Sequence, residues 1–382
     1  MIVNKTYVAA FLSFVFAVAT ALLIIVATEY YFTYTYNKSF IETFRQDRFI
    51  RLRNLSPNSN LVFTPSNFIN KKDSFQLELK NYPATTDSFG FIVSKNNSSD
   101  ANLNFTFFGG STTQCLFVDE DKRMPEAVAS FVQHKTGLKV NTWNCAAGGT
   151  HSYHTLNVLN NMALNIPADY AFFYGNANDL GALMHYGTFF NPNPDKGIFW
   201  NIDEYQKRNG VSTKGILPYT LDAIKARFNI KPEKDDFGDV RGLKLVLDSS
   251  VIMPPVARVF KTIIASCKAN GVEPVIITQK NCFDNLSYEW LLNNMPFFTP
   301  TKTEYEQVKK LFHQYNNTLK QIAIQEHVML IDLDNVTLGF DNFYDAIHFN
   351  SKGSYAVSQI IADRFVEQLT SGKNEPELAG RH

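Results

Sequence analysis

Residues 103–113 read LNFTFFGGSTT. The apolar run Leu103 to Phe108 ends at two glycines, Gly109 and Gly110. A short apolar run with glycine at its end reads as a strand buried on both faces. Similar runs recur at Leu138 to Trp143, Asp169 to Tyr174, Glu273 to Thr278 and Val328 to Asp332. Stretches with helical spacing lie between and after them: Pro125 to Thr136, Ser152 to Asn165, Pro255 to Ala269, Thr303 to Gln325 and Ser351 to Leu369. Strands alternating with helices predict an α/β fold, because each crossover helix covers a face of a parallel sheet. The expected architecture is three-layer α/β/α around a central, mostly parallel, five-stranded sheet of flavodoxin-like order.

Working outward, the chain of 382 residues is 45% hydrophobic, enough for one large core and a small addition. Its 33 Phe and 17 Tyr argue against disorder, since so much aromatic surface must be buried. Lys plus Arg and Asp plus Glu both number 36, and no basic cluster with interleaved aromatics occurs, so nothing favours a nucleic-acid partner. Cys115, Cys145, Cys267 and Cys282 have neither CxxC nor zinc spacing. They read as small buried apolar residues, with a Cys267–Cys282 disulfide as the alternative in an oxidising compartment.

From Tyr7 to Thr28 the chain carries no charge. At about 1.5 Å per residue, a helix of this length crosses a hydrocarbon layer of about 30 Å. The apolar region of a cleaved signal peptide is shorter, about 7–15 residues, so residues 1–28 read as an uncleaved anchor, with a signal peptide as the rival. Tyr30, Tyr31, Tyr34 and Tyr36 suit the headgroup region. Lys38, Arg45 and Arg48 follow the span and only Lys5 precedes it, a charge bias that slightly opposes an outward-facing domain. Residues 29–100 are turn-rich and read as a stalk and N-terminal extension. Residues 101–372 form the α/β domain, interrupted by an insertion at about 186–250, and 373–382 are a tail.

In an open parallel sheet, ligands bind beyond the carboxyl ends of the strands. The residues just past each strand are therefore the candidates. Ser111 follows the first strand and its two glycines. Gly149, within Asn144 to Thr150, follows the second and has an N–H that can meet an oxyanion. Asn178 follows the third; its amide suits an oxyanion donor or, equally, a helix N-cap or an Asx-turn. Past the fifth, Asp345 and His348 in DAIH put a carboxylate and an imidazole on one turn. The carboxylate can hold His Nδ1–H and leave Nε2 for a serine. Each signal alone is most often structural. His151 and His154 have i, i+3 spacing but no carboxylate or cysteine completes a metal site, so no metal is expected. Sequons at Asn97, Asn104, Asn285 and Asn335 carry little weight in so Asn-rich a chain.

Taken in order, the four blocks resemble the SGNH (GDSL-like) hydrolase superfamily, nearest to members whose first block reads GGSTT, over about residues 100–370. The resemblance implies Ser111 as nucleophile, with Asp345 and His348 completing the triad. It implies an oxyanion hole of the Ser111 and Gly149 N–H groups and the Asn178 amide. Two positions depart from the pattern: Asn176 stands where block three has glycine, and Ala146 where block two often has one. The implied activity is hydrolysis of acyl esters, acetyl groups on envelope polysaccharide among them, without metal or organic cofactor. The alternatives are an O-acyltransferase using the same triad and a catalytically silent surface-binding module. Besides its ester substrate, the expected partner is a lipid bilayer. Single-anchor hydrolases of this type imply a catalytic domain outside the cytoplasm.

Overall fold

The apolar N-terminal run is helical. In this computed structural model, which describes residues 5–46, 52–65, 77–175, 177–190, 220, 224, 227, 243–294 and 300–371, helix α1 spans Lys5–Gln46. Its Thr6–Thr35 part is long and apolar enough to cross a membrane, and side chains such as Phe11, Phe16 and Leu23 are exposed. The Thr20 and Thr28 hydroxyls donate to the carbonyls of Phe16 and Ile24, so these polar groups are satisfied within the helix itself. Helix α1 belongs to the smaller of two units, Met1–Arg51 with Phe199–Asp236.

The larger unit, Leu52–Ile198 with Phe237–His382, holds the sheet. Strands β1 (Asn60–Phe63) and β2 (Tyr82–Thr85) form a separate antiparallel pair. Then come β3 (Ile92–Val93), β4 (Leu103–Phe108), the single turn α2 (Ser111–Gln114) and α3 (Met124–Thr136). Next are β5 (Val140–Asn144), α4 (Ser152–Asn161), β6 (Tyr170–Tyr174) and α5 (Ala177–Tyr186). The rest are α6 (Ser249–Ala269), β7 (Glu273–Ile277), α7 (Tyr288–Asn294), α8 (Lys302–Gln325), β8 (Met329–Ile331) and α9 (Ser351–Ser371). The main sheet runs β3-β5-β4-β6-β7-β8. All its pairings are parallel except β3 on β5.

The five expected strands are thus present, in the flavodoxin-like order, with the reversal of strand order between β4 and β6. A sixth, β3, lies on the edge inside the segment expected to be extension. It has two residues, too few to show a period. Helix α6 begins at Ser249, ahead of the expected Pro255. Asp248 caps it, its carboxylate accepting from Ser250 N–H at 2.8 Å. Ile252 is buried in the first turns, and packing carries the helix through Pro254 and Pro255. Most of the expected insertion at 186–250 lies outside the described residues.

Phenylalanines fix the layers. On one face Phe107 stacks on Phe172 at 4.5 Å between ring centroids, and Phe105 meets Phe365 of α9 at 5.2 Å. Helices α3 and α9 pack together on that side. On the other, Phe108 stacks on Phe173 at 5.0 Å, next to Thr155 of α4 and Phe260 of α6. Alternation along β4 sends Phe105 and Phe107 one way and Phe108 the other, as a doubly covered strand requires. At the β8 edge, Gln368 Nε2 donates to the Leu330 carbonyl at 2.8 Å, and the Arg364 guanidinium to that of Asp332. All four cysteines are buried and free, so Cys267 and Cys282 are not bridged.

Candidate active site

Gly109 makes the turn out of β4 tight. A Cβ there would lie 2.1 Å from Thr113 Oγ1 and 3.2 Å from the Tyr174 carbonyl, so only glycine fits. The chain then winds into α2, with the N–H groups of Thr113 and Gln114 donating to Gly110 O, and Ser111 stands at its head.

The acid and base come from the loop between β8 and α9. Phe343 and Phe349 form an antiparallel bridge, and Tyr344 N–H donates to His348 O at 3.0 Å, which closes the loop. Cys282 N–H, past β7, donates to Ala346 O at 3.0 Å and ties down the tip. Within it, Asp345 Oδ1 accepts from the N–H groups of Ile347 and His348 at 2.9 and 2.8 Å. Asp345 Oδ2 lies 2.7 Å from His348 Nδ1, and His348 Nε2 lies 2.6 Å from Ser111 Oγ. Burial raises the Asp345 pKa, but His348 and the backbone donors outweigh it and hold the carboxyl below its usual range. The Tyr344 ring lies parallel to the imidazole, 5.2 Å away, and fixes its plane. Ser111, Asp345 and His348 are therefore brought together. A cavity of about 490 Å³, lined by Pro83, Ile92, Glu120, Arg123 and others, includes none of the three.

The loop after β5 faces the serine. A Cβ on Gly148 would lie 4.0 Å from Ser111 Cβ. Gly148 N–H donates to Gln114 Oε1 at 2.8 Å, and Asn144 Nδ2 donates to the carbonyls of Thr113 and Gln114. Gly149 has φ +70°, and among the described residues none accepts from its N–H or from that of Ser111. Among the described residues the serine's own N–H and that of Gly149 are thus without an acceptor, while that of Gly148 is engaged.

Asn178 is not placed as a helix cap or an Asx-turn. It sits inside the first turn of α5, and Nδ2 donates to the Thr150 carbonyl at 2.9 Å. It latches the Gly149 loop to α5. Asn176 lies outside the described residues. The His151 and His154 rings meet in a tilted pair with centroids 3.9 Å apart, and no group of three His, Cys, Asp or Glu forms a metal cluster among the described residues.

Several participants were not legible in the sequence. Gln114 directly follows GGSTT, yet its role needs the fold. Arg53 lies far upstream, and its Nη1 donates to Gly148 O at 3.1 Å. Asp179 is fully buried and accepts from Ser152 N–H and Tyr315 O–H, both at 2.6 Å.

No family model matches the chain, and no curated protein does. Among solved structures, it is similar to the acetylxylan esterase Axe2 from Geobacillus stearothermophilus, with 13% identity and TM-score 0.40 over 72% of this chain and 96% of that one. It is also similar to a lipase/acylhydrolase from Enterococcus faecalis, with 14% identity and TM-score 0.38 over 70% and 96%. Neither likeness assigns the chain to a family.

Burial raises the Asp179 pKa to about 6, against the pull of its two hydrogen bonds. The folded state therefore binds a proton that the unfolded state loses near its ordinary pKa of about 4. The resulting stabilisation is full below about pH 4 and is lost as pH rises through about 6. Asp179→Asn should remove this dependence and be the more stable chain at pH 7.5 by up to about 3 kcal/mol. Urea melts at pH 4.5 and 7.5 measure it; equal pH slopes in the two proteins would mean that Asp179 does not titrate there.

Proposed function

We propose that the protein is a serine esterase of the SGNH type that hydrolyses acyl esters through Ser111, His348 and Asp345. The observation that carries this reading is the unbroken hydrogen-bonded line from Ser111 Oγ through both imidazole nitrogens to Asp345, across 237 positions of sequence. In the reaction, His348 Nε2 takes the Ser111 proton as Oγ bonds to the acyl carbon. The carbonyl becomes an oxyanion, met by the Ser111 and Gly149 N–H groups and the Asn178 amide. The oxyanion collapses, the ester oxygen leaves, and the imidazolium returns the proton to it. A water, deprotonated by His348, then attacks the acyl-enzyme and frees the acid and the serine. Asp345 holds the Nδ1–H tautomer and stabilises the cation. No step needs a metal or organic cofactor. A silent binding module would have no use for this alignment.

We further propose that α1 anchors the enzyme in a bilayer with the catalytic unit outside the cytoplasm. The uncharged run and its exposed apolar side chains support the anchor. An anchored esterase on that side would meet acetylated envelope polysaccharide, the first substrate class to test.

Ser111→Ala should abolish turnover of p-nitrophenyl acetate at unchanged melting temperature, and a fluorophosphonate should label wild type at Ser111 only. Full activity in the Ala variant would sink the triad. Asn178→Ala should lower kcat by about 10²–10³ with KM nearly constant, as loss of a donor to the oxyanion does. If Asn178 only latches Thr150, the melting temperature falls while kcat, measured well below it, is kept. Full-length protein should sediment with membranes, and a chain lacking residues 1–36 should be soluble and active. A mature N-terminus near residue 29 by mass spectrometry would make the run a cleaved signal.

A further inference from the structure

The two peptides that flank Gly148 are each held by a side chain. Gln114 Oε1 takes the Gly148 N–H at 2.8 Å, and Arg53 Nη1 donates to the Gly148 carbonyl at 3.1 Å. No peptide in the described structure is cis. In a trans unit the C=O and the next N–H point in opposite directions. Fixing Gly148 O on Arg53 therefore fixes Gly149 N–H on the side away from it. The same guanidinium occupies the space a side chain at 149 would need, since a Cβ there would lie 2.4 Å from Arg53 Nη1. Gly149 is thus glycine for two reasons, its φ of +70° and the arginine against it.

Arg53 is itself held in place. Its φ is +45°, a left-handed conformation that is unfavourable for a non-glycine residue and persists only where neighbours enforce it. They do so here. Asn54 Nδ2 donates to Phe89 O at 2.8 Å, and Thr86 Oγ1 donates to Ser56 O at 2.6 Å. Leu52 is buried on the other side of Arg53. A strained residue bolted at each flank, with its cation on the loop that faces the serine, is arranged for a site.

We propose that Arg53 is a positioning residue for the oxyanion hole: by clamping the Gly148 carbonyl it aims the Gly149 N–H at the oxygen that becomes negative when Ser111 attacks. This rests on the esterase reading above and adds to it a residue from outside the four sequence blocks. Gln114 holds the preceding peptide unit and keeps the Gly148 N–H from competing.

The test uses Arg53→Met, which keeps the aliphatic stem and removes the donors, with Arg53→Lys as the conservative variant. With p-nitrophenyl acetate, Arg53→Met should lower kcat about 10- to 100-fold and leave KM within about twofold, because a misaimed donor is felt only in the transition state. The inhibition constant of phenylboronic acid, whose tetrahedral serine adduct puts an oxygen in the hole, should rise by the same factor. Arg53→Lys should lie between the two, and millimolar guanidinium should restore part of the Arg53→Met rate. Wild-type kcat in a folded Arg53→Met chain overturns the proposal. A rise in KM alone also overturns it, since Arg53 then binds substrate. So does an Arg53→Met chain with no melting transition, because the residue's duty is then to the fold. Wild type without Ser111-dependent turnover would instead sink the esterase reading.

Discussion

Asp345 accepts three hydrogen bonds at once, from two backbone N–H groups of its own turn and from the His348 ring. The backbone pair fixes the carboxylate to the loop, so the ring is oriented by the main chain and not by a free side chain. That loop is in turn closed by the Phe343–Phe349 bridge and tied to the segment after β7 through Ala346. On the opposite side, Ser111 is placed by β4 and a glycine that lets the chain fold back against Tyr174. The two halves meet at 2.6 Å although they start from β4 and β8, which have β6 and β7 between them in the sheet, because the long loop after β8 returns across its carboxyl end. Burial pushes the Asp345 pKa up, but the His348 ring first and the two backbone N–H groups after it outweigh that and hold it low.

The parallel strands were legible because strands buried on both faces need continuous apolar runs, and glycine or asparagine ended the first three. Helices α3, α8 and α9 were legible for a related reason: their apolar residues recur at helical spacing over many turns. Strand β3 was not, being two residues long, and α6 was misplaced at its start because two prolines look like a helix beginning. At the site, Ser111, Asp345 and His348 were readable from their order along the chain. The state of Asn178 was not, since its acceptor, Thr150, belongs to another loop. Arg53 left no trace at all: nothing in RLRNLSP marks a contact with a glycine 95 positions away.

Several buried polar groups crowd the start of α4. Burial, and then the Arg53 charge, push the His151 pKa down to about 3, so this imidazole is neutral at physiological pH. No described residue pairs with either of its ring nitrogens. Asp179, beside it in the fold, is pushed the other way and is held by Ser152 and Tyr315. Burial is the leading cause of both shifts, since it disfavours the charged form of each group. At physiological pH His151 has lost its charge, whereas Asp179, with a pKa of about 6, is still mostly ionised.

The two margins of the sheet have a consequence for the chain's behaviour in company. A parallel sheet of this width ordinarily ends in unpaired strand groups, which invite pairing with a passing chain. Here β5 is covered by a strand of two residues running the other way, too short to template a newcomer. At β8 the carbonyls of Leu330 and Asp332 are already taken by side chains of α9. A molecule crowded against its copies is most exposed to such pairing, and this sheet offers its neighbours no long open border.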